Sequence, residues 1–235
     1  MKLTIIIPVY NEIKSLNILL NRVLASKVKK QIIIIDDCST DGSREEIINK
    51  FSNKVDKIIL HEKNLGKGAA IISAKNYIKG DFVIIQDADL EYDPNQLELF
   101  MKEVENSKID ALYGSRVLKK DKYKNIQNFS HKIRIWGNLL LTFISNIINN
   151  QNLTDSHTCY KMVRSDIFKK IDFKEKGFAF CPELNTKLSN LNIKIHEIPI
   201  HYDIRIGRSK LGSLGDGIRI AMKIIKRRFV RKPIS

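Results

Sequence analysis

The sequence predicts an α/β fold with a mostly parallel central sheet flanked by helices. Three observations predict it. β-rich apolar runs recur at 3–9, 31–35, 57–60 and 82–86. Segments with helical spacing, about 10 to 15 residues each, separate them. Each run ends at polar residues: Tyr10-Asn11-Glu12, Asp36-Asp37, the stretch from His61 to Lys67, and Asp87-Ala88-Asp89. Continuous apolar strands need both faces covered, and in such sheets ligands bind beyond the carboxyl ends of the strands. Four polar strand ends on one edge therefore predict a ligand site.

Residues 3–9 form the first strand, and 12–26 a helix through Ile13, Leu16, Leu19, Leu20, Val23 and Leu24. After the second strand, Ser39-Thr40-Asp41 can cap a helix over 43–52. Residues 66–78 read as the next helix, and Pro94 fits the first turn of one over 94–106. The second half is less regular. Ala111-Leu112-Tyr113-Gly114-Ser115-Arg116 reads as a strand entering a loop, followed by a long amphipathic segment containing Trp136 and reaching Ile148. A short strand (158–163), a helix (182–191) and β character over 193–202 follow. A Gly/Ser/Lys-rich loop precedes a basic amphipathic tail with Leu214, Ile218, Ala221, Met222, Ile225 and Phe229 on one stripe.

A chain of 235 residues can bury a full core, and its 43% hydrophobic content excludes a disordered protein. Net charge is +15. Residues 117–134 hold six Lys/Arg against one acid, and 201–235 hold ten against two, so these stretches carry +5 and +8. Charge so localised points to a polyanionic surface. A basic face opposite a narrow apolar stripe is the pattern of a helix at a membrane interface. The same helices could instead pack on the domain or a second subunit. Three cysteines without CxxC spacing fit a reducing compartment rather than a disulfide framework. The N-terminus lacks the apolar core of a signal peptide, and no apolar run reaches the length of about 18 residues that a membrane span needs. His61, His131, His157, His196 and His201 have no metal-ligand spacing and read as surface or loop residues.

The chemistry centres on Gln86-Asp87-Ala88-Asp89-Leu90-Glu91. Asp87 and Asp89, two apart in an extended segment, point the same way, and with Glu91 they offer hard oxygen ligands to a divalent cation. Asn64-Leu65-Gly66-Lys67-Gly68-Ala69-Ala70 is not a P-loop; it is a tight turn that brings Lys67 and a helix N-terminus to the strand ends, suited to an anion.

In order and spacing, PVYNE, DDCSTDG, NLGKGAA and DAD over the first 116 residues resemble the second family of glycosyltransferases, which use nucleotide sugars. Later strings are similar to its dolichol-phosphate mannosyltransferase branch. They are Tyr113-Gly114-Ser115-Arg116, Asp155 with Thr158-Cys159-Tyr160-Lys161, Gly177-Phe178 with Pro182-Glu183, Glu197-Ile198-Pro199-Ile200, and Arg205 with Ser209-Lys210-Leu211. Cys159 stands where many relatives have Gly.

The resemblance implies a nucleotide-diphospho-sugar transferase (GT-A-like) fold. It implies inverting, metal-dependent transfer of a sugar from GDP-mannose or a UDP-hexose to polyprenyl or dolichyl phosphate. Under it, Pro8, Tyr10, Glu12, Asp37, Lys67 and Asp87 bind the donor, and Asp87, Asp89 and Glu91 hold Mg²⁺ or Mn²⁺. Asp89, Arg116, Asp155 and Glu183 form the catalytic set, and Arg205, Ser209 and Lys210 gather the acceptor phosphate. Asp155 and Glu183 face the sugar or acceptor, or else hold Arg116 or Lys161 by charge pairing. The expected organisation is a catalytic domain over 1–212 and a basic helix over 213–235, peripheral at the cytosolic face of a membrane. A homo-oligomer or a membrane-anchoring partner fits equally. The alternative acceptor is a glycan hydroxyl, as in cell-surface polysaccharide assembly. Nucleic acid is not expected, because the acidic strand ends would repel its backbone.

Overall fold

A computed structural model describes residues 1–118 and 129–203. Seven strands form one sheet in the order β3-β2-β1-β4-β6-β5-β7. They are β1 (Leu3–Val9), β2 (Lys30–Asp36), β3 (Lys57–Leu60), β4 (Phe82–Ile85), β5 (Ala111–Ser115), β6 (Lys161–Arg164) and β7 (Ile195–Pro199). The helices are α1 (Ile13–Ala25), α2 (Ser43–Phe51), α3 (Lys67–Ala74), α4 (Leu97–Asn106), α5 (Phe129–Asn149), α6 (Ser165–Lys170) and α7 (Phe180–Asn190). The expected basic tail over 213–235, with Arg205, Ser209 and Lys210, lies outside the described residues, as does the basic stretch 119–128.

The period of two in each strand divides the core. Ile5, Ile7, Ile32 and Ile34 pack with Leu16, Leu20, Phe51 and Phe100 of α1, α2 and α4 on one face. Ile6, Ile33 and Ile35 pack with Ala70, Ile71, Phe168, Phe180 and Leu184 of α3, α6 and α7 on the other. This is the two-sided burial that uninterrupted isoleucine runs demand.

β1 is parallel to β2 on one side and to β4 on the other. The chain leaves β1 toward β2, while β4 leads toward the opposite half of the sheet. That divergence opens a crevice between the carboxyl ends of β1 and β4, where open α/β sheets bind ligands.

β6 runs antiparallel to both β4 and β5. Its start therefore lies at the edge where its neighbours end, with Lys161 opposite Tyr113. The loop from Asp155 to Tyr160 thus joins the site edge. Beyond β7, Tyr202 bridges Tyr92 and Asp203 N–H donates to Glu91 O at 2.9 Å, so the end of β7 also meets the acidic loop.

Candidate active site

The first two strand ends are stitched together by side chains. Asn11 N–H donates to Ser39 Oγ at 3.0 Å, Glu12 N–H to Ser43 Oγ at 2.9 Å, and Ile13 N–H to Asp41 Oδ2 at 3.0 Å. Thr40 N–H donates back to Asn11 Oδ1 at 2.7 Å. The Ser-Thr-Asp string thereby satisfies the open N–H groups before α1, and Asp41 Oδ1 also accepts from Ser43 N–H ahead of α2. The side chains of Pro8, Tyr10 and Glu12 are half-buried on this rim.

Asp36 and Asp37 part company. Asp36 is fully buried and paired with Arg44 Nε at 2.6 Å. Asp37 turns to the Gly-rich turn, accepting from Leu65 N–H and Gly66 N–H, both at 2.8 Å. His61 Nδ1 lies 2.7 Å from Asp37 Oδ1, and its Nε2 lies 2.9 Å from Ser73 Oγ. His61 lies in a loop, as one half of the surface-or-loop reading has it, but not at the surface: it is buried, wedged between Asp37 and α3. Its position directly after β3 was the available signal.

The two glycines around Lys67 have separate reasons. Gly66 sits at φ 95°, and a Cβ there would fall 2.6 Å from Lys176 O. At Gly68 a Cβ would collide with Glu175 O. The start of α3 thus lies against the backbone of 175–177, with Ala69 N–H donating to Lys176 O at 2.9 Å. That backbone is held in turn by Glu183, which accepts from Lys174 N–H at 3.0 Å and Glu175 N–H at 2.8 Å.

Lys67 crosses to Asp87 in an ion pair and donates to Cys159 Sγ at 3.2 Å. Burial opposes its charge, but Asp87 and the two sulfurs of Cys159 and Cys181 together outweigh burial and raise its pKa well above the usual lysine value. Asp87 and Asp89 are both buried, and Asp89 accepts from Glu91 N–H at 3.2 Å. Glu91 also takes a hydrogen bond from the Tyr202 hydroxyl. Among the described residues no three His, Cys, Asp or Glu side chains converge as a metal cluster. Asp87 and Asp89 are the carboxylates here that could hold a divalent cation, since Mg²⁺ uses one or two carboxylates alongside substrate phosphates.

The acidic loop is braced from behind. Gln86 Nε2 donates to Tyr92 O at 3.0 Å, and Gln86 Oε1 accepts from Tyr160 at 2.6 Å. Tyr92 stacks on Tyr160 with centroids 5.1 Å apart, and its hydroxyl accepts from Cys159 N–H at 3.0 Å.

Arg116 and Asp155 form a two-point fork, Nε to Oδ2 at 2.7 Å and Nη2 to Oδ1 at 2.8 Å. Arg116 N–H adds a third contact to Oδ2 at 3.1 Å, and the guanidinium lies 5.1 Å from the Tyr202 ring centroid. Burial works against the Asp155 charge, yet Arg116 holds its pKa below the usual carboxylate value. Glu197 fixes the loop by accepting from Thr154 N–H at 2.7 Å and Asp155 N–H at 3.0 Å. Of the two readings of Asp155, the geometry has the one in which it holds Arg116. Glu183 holds backbone rather than Arg116 or Lys161.

From the sequence Lys161 reads as a possible charge partner of Asp155 or Glu183. It is buried under this loop, donating to Ser156 O at 2.9 Å and Asn185 Oδ1 at 3.0 Å, and burial lowers its pKa to about 8. His157 is in a loop, as read, and half-buried. Its Nε2 is buried with no hydrogen-bond partner, and burial, reinforced by Lys161, lowers its pKa to about 4.

α5 is turned inside out. Thr142, Ser145 and Asn149 are buried, and Ser156 Oγ is 3.2 Å from Thr142 Oγ1. Asn146 and Leu153 exchange hydrogen bonds of 2.8 and 3.0 Å. Trp136, Leu140, Phe143 and Ile147, spaced four-three-four, face solvent. No helix among the described residues is long and apolar enough to cross a membrane.

The family model for Glycosyl transferase family 2 matches residues 4–172. The chain is 29% identical over 228 residues to an undecaprenyl-phosphate mannosyltransferase of Micrococcus luteus, covering 93% of this chain and 91% of that one. It is 27% identical to a dolichol-phosphate mannosyltransferase of Pyrococcus furiosus, covering 90% of this chain but 59% of the relative. Among solved structures, glucosyl-3-phosphoglycerate synthase of Mycobacterium tuberculosis with Mn²⁺, UDP-glucose and glycerol 3-phosphate superposes with a TM-score of 0.72 at 14% identity. That superposition covers 99% of this chain and 81% of the other, and it shares the GT-A-like arrangement of sheet and helices.

Proposed function

This chain belongs to glycosyl transferase family 2 and is a glycosyltransferase, and on that premise we propose that it moves a hexose from a nucleotide diphosphate sugar to a polyprenyl phosphate at a membrane surface. The observation that carries the choice of acceptor is the state of the two candidate bases. Asp155 is forked by Arg116, and Glu183 holds the backbone of 174–175. A sugar hydroxyl needs a positioned base to take its proton. A phosphate monoester, with a second pKa near 6, is already mostly a dianion at neutral pH and needs none. The names of the Micrococcus luteus and Pyrococcus furiosus relatives point to the same acceptor class.

The donor reading rests on the edge between β1 and β4. Pro8, Tyr10, Glu12 and Asp37 line the nucleoside side, and Lys67 stands at the start of α3 for phosphate oxygens. Asp87 and Asp89 would hold Mg²⁺ or Mn²⁺, with Glu91 beside them. When bound, that cation offsets the charge that develops on the leaving diphosphate. Arg116 presents a fixed positive charge next to this region, and Arg205, Ser209 and Lys210 are proposed to complete the acceptor-phosphate end. The outward apolar stripe of α5, with +5 on 117–134 and +8 on 201–235, supports a peripheral position on an anionic bilayer. We place that position at the cytosolic face.

A panel of GDP-mannose, UDP-glucose and UDP-GlcNAc, each with and without a short polyprenyl phosphate, tests the reading. Lipid-dependent consumption of one donor is expected. Consumption of no donor in the presence of the lipid would overturn it.

A further inference from the structure

The chain beyond β7 is pinned across the site edge. Ile200 N–H extends the pairing with β5 by donating to Ser115 O at 3.0 Å. Gly114 leaves room for it, since a Cβ there would fall 2.6 Å from Ile200 Cγ2. His201 is tied to Gln96 in both directions, its N–H to Oε1 at 2.5 Å and its O to Nε2 at 2.9 Å. Asp203 N–H donates to Glu91 O at 2.9 Å. Tyr202 sits between these two anchors, half-buried and bridged to Tyr92. Its ring has two contacts. The guanidinium of Arg116 lies over it, 5.1 Å from the centroid. Tyr92, the buried residue that follows Glu91, meets it edge to face at 5.2 Å and itself stacks on Tyr160 at 5.1 Å. A guanidinium is planar and stacks on aromatic faces. Asp155 grips that plane through Nε and Nη2. Two contacts along one edge leave a plane free to tilt about that edge, and Nη1, outside the fork, would swing with the tilt. A ring against the face removes this freedom.

We propose that Tyr202 is a positioning residue for sugar transfer: its ring stops the Arg116 guanidinium from tilting on the Asp155 fork and, through Tyr92, keeps it at one distance from the loop of Asp87 and Asp89. Arg116 then meets phosphate oxygens in a single orientation and needs no reorganisation as charge develops on them. The consequence falls on rate more than on binding. A tilting cation still attracts a phosphate, but it no longer stands where the transition state builds its charge. Tyr202 touches no reacting atom in this role, and its ring rather than its hydroxyl performs it.

The effect on rate rests on the proposed transfer to a polyprenyl phosphate; the fixing of Arg116 does not, so a spectroscopic measurement separates the two. In the full chain labelled with ¹⁵N-arginine, the Arg116 Nε–H signal, assigned by its loss in Arg116→Lys, should be sharp and slow to exchange. It should stay so in Tyr202→Phe and broaden or vanish in Tyr202→Leu. In transfer assays Tyr202→Leu should lower kcat at least about tenfold, with the donor KM changed less than about threefold. Tyr202→Phe should recover most of that loss. In the Arg116→Lys background, where no planar group remains to be held, Tyr202→Leu should cost less than about twofold. Tyr202→Met, which fills the space with a flexible side chain and no ring, takes the place of Tyr202→Leu if that variant does not fold. An Arg116 signal unchanged without the ring, a Phe variant as impaired as the Leu one, or equal losses in both Arg116 backgrounds overturns the proposal.

Discussion

Arg116–Asp155 and Lys67–Asp87 are both ion pairs at the ends of strands, but they are built differently. Arg116 meets Asp155 through two parallel contacts, with its own N–H as a third, and lies against the Tyr202 ring. Lys67 is a point charge on a flexible stem, shared between Asp87 and the Cys159 sulfur. A planar fork is costly to rearrange, whereas an ammonium group can change partners. The first pair therefore acts as architecture. In the proposed reaction the second is exchangeable: Lys67 would leave Asp87 for the diphosphate of the donor. On that proposal the same edge holds one fixed positive charge and one that follows the substrate.

Breaking each pair should have different consequences. The largest effect is expected beside the exchangeable pair. Asp89→Ala should lower transfer by on the order of a thousandfold with the circular-dichroism spectrum unchanged, and excess chelator should do the same to the unaltered protein. Full activity in either case would contradict the metal reading.

At the fixed pair, Asp155→Asn leaves the Arg116 charge buried without its counter-charge. A loss of about 3 kcal/mol or more in unfolding free energy is expected by denaturant titration. An unchanged midpoint would show that the fork is not architectural.

His157 offers a third probe of that loop. Its folded pKa of about 4 lies below the ordinary 6.5, because burial resists the charged ring. Below 6.5 the unfolded chain takes up a proton that the folded one refuses. Its contribution is therefore complete above 6.5 and is lost as pH falls from 6.5 to 4, at most about 3 kcal/mol. His157→Gln should flatten this part of the stability profile.

The smallest effect is expected at Lys67. Lys67→Met should raise the donor KM about tenfold, the size of one lost charge contact, with little change in melting temperature. A large drop in stability would make Lys67 architectural too.

The first half of the fold was legible because its strands are uninterrupted apolar runs, such as Ile32-Ile33-Ile34-Ile35, whose continuity can be satisfied only by a covered parallel sheet. The second half was less so. The four residues Lys161–Arg164 carry no signal of direction, and it is the reversal of β6 that brings Asp155 and Cys159 to the edge. The long amphipathic helix was readable as such, but nothing in its period says that Thr142, Ser145 and Asn149 would face inward. At the site, residue types were legible and partners were not. Asp36 and Asp37 look alike in sequence, yet one is committed to Arg44 and the other to the Gly-rich turn. Such divisions depend on contacts between residues far apart in the chain. Lys67 with Asp87 is of that kind.

In the proposed reaction the acceptor brings its own negative charge, so that the committed carboxylates Asp155 and Glu183 need not act as bases. Parallel transfer assays with a polyprenyl phosphate and the matched polyprenol, using whichever donor is consumed, test this most directly. Sugar is expected on the phosphate and none on the alcohol. Equal transfer to the alcohol would contradict it.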